Sequence, residues 1–186
     1  VRYMYNVFAG CTSLTAINGI GNWKTDRLES THYMFSNCRS LIELDISNWN
    51  MSKIVNMYNM FSTCNSLTSL DLSNWDIDNI TSLGEVFVYC TLLTTIGDIS
   101  NWNTSKVTNM VSLFRGCTKL TSLDLSNWDV SKVTNMNWMF ENCQSLTSLD
   151  LSNWKTDSLI GINYMFNQCS SITKLDLRNW DVRKVT

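Results

Sequence analysis

Proline is absent from this chain of 186 residues, and glycine occurs only 7 times. Flexible linkers and low-complexity segments are rich in one or the other, so no such segment and no domain boundary is visible. Net charge is also scarce, at -2, which removes the electrostatic case for nucleic acid as a partner. No apolar run approaches the roughly 18–20 residues that cross a bilayer, so direct membrane insertion is not expected. Histidine occurs once, as His32, leaving a Ser-His-Asp or Cys-His arrangement one candidate base. Glycine-rich phosphate loops, HExxH and zinc spacings are missing, so the expectation is no enzyme, no cofactor and no metal. A signal-peptide pattern is not visible either. Both ends, Val1 and Thr186, fall inside a repeating pattern, as if one repeat domain over 1–186 had been cut from a longer array.

Repetition is what the chain has in abundance. Phe8, Phe35, Phe61, Phe87, Phe114, Phe140 and Phe166 are separated by 27, 26, 26, 27, 26 and 26 residues. A cysteine follows each at the third position: Cys11, Cys38, Cys64, Cys90, Cys117, Cys143 and Cys169. Asn-Trp recurs in step, giving Trp23, Trp49, Trp75, Trp102, Trp128, Trp154 and Trp180. The units run approximately 1–27, 28–53, 54–79, 80–106, 107–132, 133–158 and 159–184. The two longer ones carry their extra residue beside a glycine, in "INGIGNW" and "TIGDISNW", where a glycine bulge would absorb it.

Each unit has two halves. In "LTSLDL" (146–151) Leu149 and Leu151 flank Asp150, the alternation of a short strand. The other half places Val133, Met136, Met139, Phe140 and Cys143 at steps that fit one face of a short helix. Asp26, Ser52, Asp78, Ser105, Ser131 and Asp157 stand ahead of it as expected N-caps. Gly10, Asn37, Gly116 and Asn142 are expected to close it in a left-handed turn. Such a unit cannot bury its apolar side alone, so stacking is required. The expected fold is an α/β, leucine-rich-repeat-like right-handed solenoid of seven units, with a parallel sheet on one side and short helices on the other.

The motif L-x-x-L-x-L is the leucine-rich-repeat pattern. "MFxxCxSL" is similar to an element of BspA-like leucine-rich-repeat surface proteins. "LDLSNWDxSKVTNMxxMF" resembles more closely the related repeats of mycoplasma-type lipoproteins and other bacterial surface proteins. The resemblance spans all the units. It implies an extracellular or cell-surface protein, an adhesive or binding role and no catalytic residues.

Several columns bear on binding. Asp45, Asp71, Asp124, Asp150 and Asp176 face outward from the strand, with Asp98 displaced beside them. Carboxylates stacked about 5 Å apart repel, which raises some pKa values or invites a cation. Such a face either binds a basic ligand or glycan, or solubilises the sheet. Arg27, Lys53, Lys106, Lys132 and Lys184 are expected to answer the acids Asp76, Asp129 and Asp181. Two neighbouring positions between the methionine columns vary freely and carry aromatics, among them Tyr33, Tyr58, Trp138 and Tyr164. These are candidate anchors for a protein or glycan, or lateral packing between coils. Trp138 is the one tryptophan outside the ladder. The seven ladder tryptophans are either a buried wall or a glycan-facing row. Adhesion to protein or glycan on a cell or matrix surface is the leading expectation. A structural spacer or fibre segment, with repeat-to-repeat or filament assembly, is the alternative.

Overall fold

A computed structural model describes residues 1–186 as a stack of coils, a repeat solenoid with a single core cluster of 49 buried residues. Seven phenylalanine rings run through it as one column, from Phe8 to Phe166. Neighbouring centroids lie 5.5–5.8 Å apart, and their planes agree within 13°. Leucine, isoleucine and methionine from both halves of each unit close around this column. No helix is long and apolar enough to cross a membrane.

The expected short helices are not formed. The only helical element is a three-residue 3-10 turn, Ile20–Asn22. Two residues four apart in each coil take left-handed backbone, for example Tyr33 (φ 57°) with Asn37 (φ 60°) and Trp138 (φ 58°) with Asn142 (φ 61°). An α-helix cannot run through them. Between and around them the chain makes successive β-turns, with Met139 N–H donating to Met136 and Cys143 N–H to Phe140. Alternate residues instead donate forward to the next coil: Tyr33 N–H to Tyr58 C=O (3.0 Å), Phe35 to Met60 (2.9 Å) and Asn37 to Ser62 (2.7 Å). A run of turns brings every third residue inward, which imitates the apolar spacing of a helix.

The residues expected to cap helices serve the opposite role. Ser52, Asp78, Ser105 and Ser131 donate their N–H groups to the side-chain oxygens of Asn50, Asp76, Asn103 and Asp129, at 3.0–3.2 Å. These are Asx turns. The expected strands shrink to isolated parallel bridges, such as Ser69 with Thr95 and Ser122 with Ser148. The inserted residues do fall at glycines. Gly97 has φ 77°, and a Cβ there would lie 2.6 Å from Ser73 Oγ.

The tryptophans are inside. Trp49, Trp75, Trp102, Trp128 and Trp154 are at most 4% exposed, while Trp23 and Trp180 are partly buried. Six indole Nε1–H groups donate to a carbonyl of the preceding coil: Ile20, Ile46, Leu72, Ile99, Leu125 and Leu151, at 3.0–3.4 Å. The same carbonyl already accepts a turn bond in its own coil, as Ile46 does from Trp49 N–H. Cysteine repeats the device. Cys38 to Cys169 donate S–H to Phe8, Phe35, Phe61, Phe87, Phe114 and Phe140 carbonyls at 2.9–3.2 Å.

All seven cysteines are free thiols. Burial pushes the Cys38 thiol up to about 11 and Cys90 to about 12. With Ellman's reagent, Cys11 is expected to react at once and Cys169 slowly, with the five buried thiols waiting for unfolding. Early modification of all seven would contradict this packing. Trp128→Phe removes one donor from the buried Ile99 carbonyl. It is expected to cost at least about 1 kcal/mol in urea unfolding, from the lost hydrogen bond and the volume left empty.

Candidate functional site

The outer face of the turn half carries the exposed aromatic residues. Tyr33 and Tyr58 meet edge to face with centroids 5.7 Å apart. Tyr58 Oη donates to Glu85 Oε1 at 2.8 Å, and Asn59 Nδ2 donates to Glu85 Oε2 at 3.0 Å. Burial, then the Glu85 contact, pushes the Tyr58 phenol up to about 12. His32 stacks on Tyr5 at 5.0 Å, and its Nδ1 lies 2.8 Å from Ser30 Oγ.

A second group lies farther along the stack. Trp138 and Tyr164 are parallel within 4° at 6.1 Å. The Arg115 guanidinium carbon lies 5.5 Å from the Tyr89 ring centre and 5.8 Å from that of Trp138. Arg115 Nε faces Glu141 Oε2 at 2.5 Å. The structure thus brings Trp138 and Tyr164 together, and separately Tyr33 and Tyr58.

Backbone shape sets this face apart. Tyr33, Glu85, Ser112, Trp138 and Tyr164 all occupy the first left-handed position, which Asn6 and Asn59 fill elsewhere. The second holds Gly10, Asn37, Gly116 and Asn142, but also Thr63, Tyr89 and Gln168. Glycine and asparagine enter this conformation readily, whereas a large side chain there costs about 1 kcal/mol or more.

The aspartate face differs in kind. Asp45, Asp71, Asp98, Asp124 and Asp150 each accept the N–H of the serine two residues on, at 3.0–3.3 Å. Asp176 accepts the Arg178 N–H in the same way at 3.2 Å. Ser47, Ser126 and Ser152 add hydroxyl bonds of 2.8, 2.7 and 2.6 Å. These bonds to serine hold the Asp71, Asp98 and Asp150 carboxyls below their usual value, and Arg178 does so for Asp176. The expected rise from mutual repulsion is therefore overturned: Asp176 acts on Asp150 only as a minor upward influence. An open cavity of about 550 Å³ lies over Asp45 and Asp71. No group of three or more His, Cys, Asp or Glu side chains is placed to hold a metal ion. The lysine column answers the acids only weakly: Lys132 and Lys184 are minor influences that lower Asp129 and Asp181. Lys106 Nζ reaches back to Asn79 Oδ1 (2.8 Å) and Lys184 Nζ to Asp157 C=O (2.7 Å), while Asp181 is held by Arg183.

The sequence profile described as "Mycoplasma protein of unknown function, DUF285" matches residues 2–96 and 93–186. The chain belongs to this family. No curated protein matches the chain. Among solved structures, this DUF285 chain is similar to a leucine-rich repeat protein from Eubacterium ventriosum, with 19% identity and a TM-score of 0.54 over 82% of this chain and 43% of that one. A leucine rich cell surface protein from Faecalibacterium prausnitzii is 17% identical, with a TM-score of 0.45 over 88% of this chain and 57% of that one. The chain thus spans about half the length of these proteins. The Eubacterium match shows a shared leucine-rich-repeat fold, and family and fold agree with the BspA-like resemblance of the repeats.

Tyr89, Arg115 and Glu141 were not among the candidates read from the sequence. A signal was available for Tyr89: it stands in the column of Gly10, Asn37, Gly116 and Asn142, where a tyrosine is out of place.

The aspartate turns generate a pH expectation. Each lowered carboxyl contributes stability that is present above its unfolded pKa of about 3.9 and is lost as pH falls through its folded value. Asp181, held by Arg183, is lowered furthest, to about 2. Thermal stability should hold from neutral pH to about 4 and fall between about 4 and 2. Asp150→Asn keeps the acceptor without the charge and should flatten part of that fall; an unchanged profile would refute the turn assignment.

Proposed function

We propose that this DUF285 solenoid is a non-catalytic, surface-exposed or secreted module that binds protein or glycan on a cell or matrix surface, through the aromatic outer face of its turns. One observation carries this reading: Tyr33, Trp138 and Tyr164 keep large exposed or half-exposed rings at left-handed positions that asparagine fills at Asn6 and Asn59. Packing between coils, as in the Trp138–Tyr164 and Tyr33–Tyr58 pairs, offsets part of the backbone cost but leaves ring surface open to solvent. A ring offered to a partner gives contact area with little entropy to lose, which offsets a backbone cost of about 1 kcal/mol. The aspartates have a sufficient role in their own turns, so they are the weaker candidates. Ser30 and His32 touch, but no carboxylate hydrogen-bonds the other imidazole nitrogen. A surface location draws support from the likeness of the repeats to those of bacterial surface proteins.

The test replaces Tyr33, Trp138 and Tyr164 together by asparagine, a residue suited to their backbone. Saturable retention of the wild-type chain on fixed host cells or matrix-coated plates should be lost in the triple variant. Its unfolding free energy should stay within about 1 kcal/mol of wild type. Retention unchanged by the three substitutions refutes this surface. A wild-type chain that shows no saturable retention favours the spacer reading.

A further inference from the structure

Arg115 is held as few surface arginines are. Its Nε is buried in a close ion pair with Glu141 Oε2 that lacks hydrogen-bond alignment, and the other Glu141 oxygen accepts from Asn167 Nδ2 at 3.1 Å. Two rings from the flanking coils, Tyr89 and Trp138, cover the guanidinium. Gly116 permits this, since a Cβ there would lie 2.5 Å from Tyr89 Cδ1. Both covering residues sit in left-handed backbone, each at φ 58°. Neither Nη1 nor Nη2 bonds any group of the protein, and both reach solvent, for the Arg115 side chain is 33% exposed although its Nε is covered. By contrast, Arg178 and Arg183 fold back on the aspartates of their own turns with both Nε and Nη2.

A guanidinium with one edge fixed and the other open is a preorganised fork for an oxyanion, with little rotamer entropy left to lose on binding. We propose that Arg115, set between Tyr89 and Trp138, receives the carboxylate or sulfate of an acidic saccharide, with the Trp138–Tyr164 pair supplying the apolar surface against the sugar ring. The proposal rests on the adhesive reading of the outer face and names its ligand class. The surroundings favour a sugar over an acidic peptide. Asn137, Asn142, Asn163 and Gln168 occupy the same turns, and amides pair with hydroxyls both as donors and as acceptors. Arg115 is the single cation of this group, and the parallel Trp138 and Tyr164 rings beside it offer a flat apolar face that suits a sugar ring.

The experiment is calorimetric titration of the full chain with 3′-sialyllactose and a hyaluronan tetrasaccharide for carboxylate, a chondroitin sulfate tetrasaccharide for sulfate, lactose as the neutral control, and hexaglutamate. At least one acidic sugar should bind at least tenfold more tightly than lactose and hexaglutamate, and more weakly as salt rises. Comparison of the carboxylate and sulfate arms identifies the oxyanion. Arg115→Lys keeps the charge but not the fork, and should lose at least tenfold in affinity with an unchanged melting temperature. Trp138→Asn, matched to its backbone, should do the same. Equal affinity for lactose, tighter binding of hexaglutamate, or wild-type affinity in Arg115→Lys would overturn the proposal. Loss of cell retention in the triple asparagine variant without any acidic-sugar binding would leave the adhesive surface standing and remove this ligand.

Discussion

A carbonyl oxygen has two lone pairs, and at two places in each coil this protein uses both. In every coil but the last, the carbonyl three residues before the tryptophan accepts the tryptophan N–H of its own coil and the indole N–H of the next. The phenylalanine carbonyl does likewise for the cysteine N–H of its coil and the thiol of the next. These carbonyls are buried among aromatic rings, where an unmet acceptor costs about 1–3 kcal/mol. Tryptophan and cysteine combine an apolar body with a single donor, which is what such a position can take. Stacking order, register and the closed edge of the core all depend on this double acceptance. It also explains why the columns barely vary while their neighbours do.

On the outer face the constraint is looser. The left-handed positions close the turns whatever side chain they carry, so their occupants are free to answer to something other than folding. Asparagine and glycine fill some of them; tyrosine and tryptophan fill others, beside an arginine and a glutamate that hold one another. Function in a uniform array has to be sought where the units disagree, and here the disagreements gather on one face.

Much of this was legible in advance. Period, units, the apolar columns and the exposed aspartates follow from spacing alone, and the glycines of the two longer units marked their insertions. The absence of helices was not legible, because Met136, Met139, Phe140 and Cys143 fall inward at the same steps in a chain of β-turns as on a helix face. Only backbone angles separate the two. Asn37 and Asn142 hinted at left-handed backbone, but Tyr33 and Trp138 hid it, being residues that rarely adopt it. The Arg115 group was beyond reach for another reason. Arg115 and Glu141 share the column after the phenylalanine, one unit apart, but Tyr89 and Trp138 stand in two other columns, and only the stacking sets all four together.

The bonds between coils also have a direction. N–H groups of the turn half, such as those of Phe35 and Phe61, point toward the following coil; those of Val55, Thr108 and Thr134, with the indoles and thiols, point toward the preceding one, and each such link joins immediate neighbours. Tension along the stack is then met by one interface at a time. Each coil that lets go releases roughly 26 residues, or about 90 Å of extended chain, while the coils behind it keep their bonds intact. A molecule that holds onto a surface through such an array would lengthen in steps under load, and would re-form as each coil finds its neighbour again.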